Sequence, residues 1–403
     1  MATPIDQQIQ LLSRRCERII SEQELRGKLQ NGRPLRIKFG MDPTAPDVTL
    51  GHAVPLKVIR QFQDLGHKAV LIIGDYTARV GDPSGRNSTR PVLSGEQIDA
   101  NAKTYVAQIG KILLGDPDHL DVRFNGEWLG AMNLIELIKL ASRKSVAQML
   151  ERESFKERFQ QGGDIRIHEF LYPLLQGWDS VIIQADVEMG GNDQLFNNLV
   201  GREFQKEEGK DPQVVMVTPL LVGTDGTMKM SKSKGNFIAL TDPPGGPQGI
   251  FGKIMRLPDN LLENYYTLVT DLPPEHFKPQ ILTNPRDAKA ALAKWIITWL
   301  HDAGAAEAAE REFVTATHGG VPDNIPQLSI SSGPHKLPPL LVKAGMAATN
   351  SEAIRKLKEG AVRIDGQKIL DHQKDYTFEA PVVLQLGSRK FTRLMPAQPP
   401  ARE

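Results

Sequence analysis

Between residues 35 and 73 an apolar run, a helical stretch and a second apolar run follow one another, an order few folds accept. Leu35 to Phe39 reads as a short strand. A loop rich in Pro, Asp and Thr follows as far as Gly51. From His52 to Leu65, apolar Leu56, Ile59, Phe62 and Leu65 recur at helical spacing, and Gly66 ends the helix. Ala69-Val70-Leu71-Ile72-Ile73 is unbroken apolar, as suits a strand covered on both faces. Strand, helix and strand within about 40 residues make a βαβ unit. A second set follows. Ser180 to Ile183 is strand-like, Gly190-Gly191 turns into a helix from about Asp193, and Gln213 to Val217 is another apolar strand. The expected fold class is α/β, a doubly wound parallel sheet whose ligands bind at the carboxyl ends of its strands.

The rest of the chain reads differently. Residues 134–160 are expected to be helical, with Leu134, Leu137, Ile138 and Leu140 on one stripe and charges opposite. Residues 248–315 look mostly helical, with Ala288, Leu292, Trp295, Ile296 and Trp299 as a core face. Residues 316–335 are rich in Gly, Pro and Ser and read as a linker. Thr349 and Glu352 form a capping-box pattern ahead of Ala353, Ile354 and Leu357. Gly360 stops that helix, and Asp365-Gly366 is a hairpin turn after the short strand Val362 to Ile364.

A chain of 403 residues favours two or three domains. The net charge of +1 shows no global field for nucleic acid. The distribution is more telling: residues 336–398 hold eleven Lys/Arg against six Asp/Glu, a net of +5, which leaves −4 for the remainder. A basic C-terminal module suits a polyanion. Cys16 is the single cysteine, which excludes a disulfide framework or a thiolate metal cluster within the chain. No apolar run approaches the ~18 residues of a membrane span, and the N-terminus lacks the pattern of a signal peptide. The expectation is a cytoplasmic protein without membrane contact.

Two segments roughly 180 residues apart carry the chemistry. Pro43-Thr44-Ala45-Pro46-Asp47-Val48-Thr49-Leu50-Gly51-His52 ends at a helix start. Free N–H groups and the helix dipole make such a start an anion site. Gly51 lets a ligand approach, and His52 can donate to a phosphate oxygen. Lys229-Met230-Ser231-Lys232-Ser233, with Lys234 and the flanking Gly226 and Gly235, is a flexible cationic loop able to close on pyrophosphate. Either segment alone also fits a surface turn or a solvated basic loop. Together they read as two halves of a triphosphate cradle, and so as an enzyme that activates a carboxylic acid with ATP. Gly81-Asp82-Pro83-Ser84-Gly85-Arg86 follows the buried strand. Asp82 can bind an ammonium group, while Arg86 and Arg90 can meet phosphates. Tyr172, Gln176 and Asp179 share one helical face and suit a zwitterionic or hydroxyl-bearing small molecule.

These segments resemble the bacterial tyrosyl-tRNA synthetases, a family of class I aminoacyl-tRNA synthetases. Pro43–His52 matches the first signature, whose core reads H-I-G-H or H-L-G-H, with Thr49 in place of its first histidine. Lys229–Ser233 is an unbroken K-M-S-K-S. Gly81–Gly85, the Tyr172/Gln176/Asp179 set and Gly190-Gly191-Asn192-Asp193-Gln194 are similar to the tyrosine- and ribose-binding segments. Leu337–Leu370 resembles a small RNA-binding domain shared with a ribosomal protein.

The resemblance implies a Rossmann-like catalytic domain over residues 1–235 with a helical insertion near 130–160. A helical anticodon-side domain (236–320), a linker (321–335) and a small α+β RNA-binding domain (336–398) would follow. It implies a tyrosyl-adenylate made from ATP, then transfer to tRNA. Asp42 and Thr44 would lie beside the substrates, with Thr44, Thr49, Gly51 and His52 near the phosphates. Lys229 and Lys232 would steady transition-state charge. Asp193 and Gln194 would approach the ribose and the amino acid. Asp82, Tyr172 and Gln176 would hold the ammonium group, and Asp179 the phenolic hydroxyl. Lys38 stands where many relatives place a tyrosine, and is expected to pair with Asp179. Ala78-Arg79 stands where Gly and an apolar residue are expected. Mg²⁺ would travel with ATP, no metal site of the protein's own is implied, and a homodimer touching near 130–160 is. The alternatives are the sister enzyme that activates tryptophan, and a catalytically silent, synthetase-like RNA-binding protein.

Overall fold

The computed structural model describes residues 3–84, 94–317, 325–387 and 390–396. The chain divides into two compact units, Met1–Asp242 with Leu257–Ala288, and Pro243–Arg256 with Lys289–Glu403. The first unit is built on a six-stranded sheet. Its strands are β1 (Arg18–Ile20), β2 (Arg36–Met41), β3 (Lys68–Ile73), β4 (Leu120–Phe124), β5 (Val187–Gly191) and β6 (Val214–Thr218), in the spatial order β1-β6-β5-β2-β3-β4. All neighbours run parallel except β1, which pairs antiparallel with β6. From β2 the chain winds outward through β3 to β4. It then returns to the other side of β2 for β5 and β6. The strand order therefore reverses between β2 and β5, the point at whose carboxyl ends open sheets of this kind form their ligand crevice.

The apolar runs form these strands because helices cover both faces. Ile37, Val70, Leu71 and Val214 to Val217 are all buried. The helix after β2 spans Leu50–Asp64 and buries Leu56, Ile59 and Phe62. Leu65 caps it, and Gly66, at φ +87°, turns the chain into β3.

One strand expectation fails. Ser180 to Ile183 is the last turn of the helix Ile167–Ile183, and the strand lies further on at Val187–Gly191. Val181 and Ile183 continue the helix's buried side, and a short apolar run cannot by itself separate helix from strand. The true strand was masked by buried Glu188. The stripe near residue 134 also divides. Residues 134–160 form three short helices, Leu134–Ala141, Val146–Met149 and Glu153–Gln160. Leu140 is buried, whereas Leu134 and Ile138 are exposed.

The second unit contains the helices Ile250–Met255 and Ala303–Thr317 and most of Pro285–Leu300. Leu292 and Ile296 are buried as expected, while Trp295 and Trp299 are half-buried with ring centroids 5.7 Å apart. Part of the expected linker is sheet. β7 (Gln327–Ile330) joins β13 (Lys390–Pro396) in parallel, and β8 (Pro334–Lys336) pairs with β11 (Asp375–Thr377). Both pairings reach far along the chain, so local composition does not announce them. β9 (Val362–Ile364), β10 (Gln367–Ile369) and β12 (Val382–Leu386) complete a five-stranded sheet of order β10-β9-β12-β13-β7. Asp365 (φ +46°) and Gly366 (φ +81°) form the two-residue turn between β9 and β10. Thr349 accepts from the Glu352 N–H, but the Glu352 carboxylate reaches back to the N–H of Ala348, one residue beyond the expected cap. Among the described residues no helix is long and apolar enough to cross a membrane.

Gly74, just past β3, sets the closeness of two strand ends. A Cβ there would overlap the Asp42 carboxylate and the Thr77 hydroxyl. Gly74→Ala is expected to destabilise the chain by about 1–3 kcal/mol in urea unfolding; a change within experimental error would contradict this packing.

Candidate active site

The two signature segments meet within the first unit. Leu50 donates its backbone N–H to Ile238 O at 2.8 Å, and Leu240 N–H donates to Val48 O at 2.9 Å. The stretch that follows the lysine loop is thus stitched to the end of the first signature. Asn236 shapes the loop, its Oδ1 accepting from Ser231 N–H at 2.8 Å and its Nδ2 donating to Lys229 O at 3.2 Å. Met230 faces Gly51, where an added Cβ would stand 3.7 Å from the Met230 Cβ. Lys229 Nζ lies 2.8 Å from Asp193 Oδ2, just beyond β5. Lys232 Nζ donates to Asp47 O at 2.8 Å and to the Tyr105 hydroxyl at 2.7 Å. Ser231 and Ser233 hydroxyls share a 2.8 Å bond.

Thr49 takes a definite part. Its N–H donates to His52 Nδ1 at 3.3 Å, and its hydroxyl lies 2.7 Å from the same atom. A nitrogen that accepts an N–H bond carries no proton, so His52 is protonated on Nε2. Thr44 N–H donates to Asp42 O at 2.8 Å, and Pro43 O accepts from Asn101 at 2.9 Å.

Deeper in the crevice a second group converges. Asp42 accepts from the Thr77 hydroxyl (2.8 Å) and from the Tyr172 hydroxyl (3.0 Å). Asp82 accepts from Ser84 N–H and from Gln194 Nε2, each at 2.8 Å, and faces Arg152 at 3.4 Å. Burial alone would raise the Asp82 carboxyl; the Arg152 guanidinium and these bonds outweigh it and hold the group below the usual carboxylate range. Asn197 bridges Gln194 Oε1 at 3.0 Å and Gln176 Oε1 at 2.9 Å. Tyr172, Gln176 and Asp179 do lie on one helix, Ile167–Ile183. Asp179, 3% exposed, accepts from Trp128 Nε1 at 2.8 Å and from Asn125 Nδ2 at 3.2 Å. Burial pushes its carboxyl up to about 6, against the opposing charge of Lys38.

Lys38 corrects an expectation. It pairs with Glu188 at 2.8 Å rather than with Asp179. The sheet register explains why, because Lys38 and Glu188 are direct neighbours across β2 and β5. Sequence reasoning missed Glu188, Asn125, Trp128, Arg152 and Tyr105. Only Glu188 carried a signal: a lone carboxylate between Val187 and Met189, in a buried strand, demands a buried partner. Ala78-Arg79 belongs to the short helix Thr77–Val80. Gly85, Arg86 and Arg90 lie outside the described residues. Among the described residues no cluster of three or more His, Cys, Asp or Glu is arranged to hold a metal ion.

A reversing, largely parallel sheet, a Gly-His helix start and a lysine loop stitched to it are the parts of a class of nucleotide-dependent ligase. The chain belongs to the tRNA synthetases class I (W and Y), the family that matches residues 30–317. Within that family it is 46% identical over 401 residues to the tyrosine–tRNA ligase of Deinococcus radiodurans, covering 97% of each chain. It is 47% identical to that of Moorella thermoacetica (97% and 96% covered) and 48% to that of Thermotoga maritima (96% and 97%). Solved structures share the fold. A C-terminally truncated mitochondrial tyrosyl-tRNA synthetase of Aspergillus nidulans matches with TM-score 0.63 at 24% identity, over 76% of this chain and 93% of that one. The tyrosyl-tRNA synthetase of Archaeoglobus fulgidus complexed with L-tyrosine matches with TM-score 0.62 at 23% identity, over 75% and 99%.

Thr49→Val removes the hydroxyl that helps fix the His52 ring. Two-bond ¹H–¹⁵N correlations are expected to show an Nε2-protonated tautomer in the wild type and, because the backbone N–H of residue 49 is kept, in the variant too, with the Nδ1 resonance displaced by loss of the hydroxyl contact. Loss of the hydroxyl's bond to the ring should cost about 1 kcal/mol of stability. An unchanged ring spectrum would contradict the assignment.

Proposed function

We propose that this chain attaches tyrosine to its tRNA with ATP, through a tyrosyl-adenylate and with release of pyrophosphate. The observation that carries this reading is the junction of the two signatures beside the carboxyl ends of β2 and β5. Similarity to curated tyrosine–tRNA ligases over nearly their full length supports the choice of tyrosine and does not favour the tryptophan alternative. The intact lysine loop speaks against a silent RNA-binding protein, which needs no flap for pyrophosphate.

In this reading ATP enters as its Mg²⁺ complex. Its phosphates lie over the start of the helix Leu50–Asp64, where Gly51 leaves room and His52 donates from Nε2–H. Thr44 and Asp42 border the reacting groups. The tyrosine ammonium meets Asp82, Tyr172 and Gln176, Gln194 approaches the amino acid, and the phenolic hydroxyl donates to Asp179. The substrate carboxylate attacks the α-phosphorus, and the bond to pyrophosphate breaks. Lys229 leaves Asp193, which then takes the ribose, while Lys232 leaves Asp47 and Tyr105. Both ammonium groups meet charge developing on the departing phosphates. No covalent enzyme intermediate is needed, so positioning supplies much of the rate. The ribose hydroxyl at the tRNA terminus then attacks the adenylate carbonyl and expels AMP.

The basic module of residues 336–398 is the part proposed to hold tRNA. Leu134, Ile135, Ile138, Val146, Phe159 and Ile167 are each more than half exposed, and such apolar surface suits a symmetric homodimer contact. The proposed compartment is the cytoplasm.

Lys232→Ala tests the reading. Its kcat for tyrosine-dependent ATP–pyrophosphate exchange is expected to fall by about 10²-fold or more, with KM for tyrosine nearly unchanged. Equal effects on both constants would contradict a contact made in the transition state. Deletion of residues 336–403 is expected to spare adenylate formation and to impair tRNA charging; loss of both would contradict the assignment of that module.

A further inference from the structure

At the start of the helix Leu50–Asp64 the lysine loop presents Met230, not a lysine. A Cβ added at Gly51 would find Met230 Cβ at 3.7 Å and Met230 Sδ at 3.9 Å. Gly51 is where the phosphates are proposed to lie, so the loop in this position takes up room that ATP needs. Whatever holds the loop here therefore competes with ATP. Lys232 is one such tie. Its half-buried ammonium donates to Asp47 O at 2.8 Å in the signature turn and to the Tyr105 hydroxyl at 2.7 Å, and it lies 5.1 Å from the centroid of the Tyr105 ring. Lys229 adds a second tie at Asp193.

Tyr105 belongs to the helix Gly95–Ile109 and is 1% exposed. That helix grips the signature turn. Asn101 Nδ2 donates to Pro43 O at 2.9 Å, and the Thr104 hydroxyl donates to Pro46 O at 2.7 Å. Gln108 Nε2 donates to Pro46 O at 2.8 Å, while its Oε1 accepts from Val48 N–H at 2.8 Å. Tyr105 stands between Asn101 and Gln108 at spacings of four and three, on the same face. The wall that fixes the turn thus also carries the oxygen that receives Lys232. Phenylalanine would fill the same buried space, so packing does not call for the hydroxyl. An uncharged oxygen also suits a contact that must be given up, because a carboxylate would hold the ammonium harder against phosphate.

We propose that Tyr105 is a positioning residue of the activation step: its hydroxyl, together with Asp47 O, latches Lys232 and keeps the lysine loop over the helix start until the ATP phosphates draw the ammonium away. This rests on the reading of the chain as an ATP-dependent, tyrosine-activating enzyme. Tyr105 acts through Lys232. The latched form excludes ATP, so the apparent affinity for ATP is lowered in proportion to the unlatched fraction. A contact made in the free enzyme and lost on the way to the transition state works against kcat/KM for ATP. It leaves the tyrosine end of the site untouched.

The test compares the full chain with Tyr105→Phe, Lys232→Ala and the two combined. In tyrosine-dependent ATP–pyrophosphate exchange, Tyr105→Phe is expected to lower KM for ATP by about threefold or more, with KM for tyrosine unchanged. In the Lys232→Ala background the same substitution is expected to do nothing, since the latch is already gone. Limited trypsin digestion of the free protein, with cut sites read by mass spectrometry, follows the loop without any chemistry. The bonds after Lys229, Lys232 and Lys234 are expected to be cut faster in Tyr105→Phe, and those after Lys229 and Lys234 faster in Lys232→Ala. A KM for ATP that stays or rises in Tyr105→Phe overturns the proposal. So does a fall that persists in the Lys232→Ala background, the mark of a packing role. Should Tyr105→Phe not fold, Lys232→Ala decides: a loop cut no faster than in the wild type overturns the latch. A wild type without tyrosine exchange removes the underlying reading and leaves the digestion rates to judge the latch. Strong wild-type exchange with KM for ATP unmoved removes the latch alone.

Discussion

Two backbone hydrogen bonds, Leu50 to Ile238 and Leu240 to Val48, join segments that lie far apart in the chain. Each is worth only about 1 kcal/mol net. They cannot by themselves close so long a loop. The sheet does that work first. β2 and β5 are neighbours in it, and so are β5 and β6, so the chain that leaves β6 is already delivered beside the loop that leaves β2. The two bonds then fix the register of the lysine loop against the helix start. Everything proposed about phosphate handling depends on this joint, because it leaves Lys229 and Lys232 only short excursions from the signature turn.

Charge is managed differently at the two ends of the crevice. At the end proposed for the phosphates the cations are half-exposed, Lys229 held by Asp193 and Lys232 by two uncharged oxygens. Such contacts are weak and exchange readily, as a loop that must move requires. At the end proposed for the amino acid the charges are buried and multiply bonded. Asp82 lies well on the ionised side through Arg152, Ser84 and Gln194. Asp179 titrates higher than an ordinary carboxyl, raised to about 6 by burial against the pull of Lys38. One carboxylate is thus insensitive to ordinary changes of pH and the other is not.

Much of this was legible in the residues. The βαβ unit followed from the apolar run at Ala69–Ile73 and the helical spacing of Leu56, Ile59 and Phe62, because both faces of that sheet are covered. The signature segments were legible as chemistry, since Gly51 and His52 at a helix start and a lysine-rich loop have few other uses in combination. The second half of the sheet was less legible. Val181 to Ile183 is apolar for a helix's reason, and Glu188 hid a true strand because its partner Lys38 lies about 150 residues away. β7 and β8 were hidden for a related reason, each being defined only by a strand met later in the chain. The roles of Asn125, Trp128 and Tyr105 depend on topology that no local pattern encodes. Thr49 looked like a gap in a signature and is instead the group that orients the next histidine.

The account is tested most directly by asking which amino acid the purified full chain activates. Pyrophosphate exchange into ATP is measured with tyrosine, tryptophan and phenylalanine offered separately at equal concentration. The account predicts strong exchange with tyrosine and little with the other two. Exchange driven by tryptophan, or none with any of the three, would contradict it.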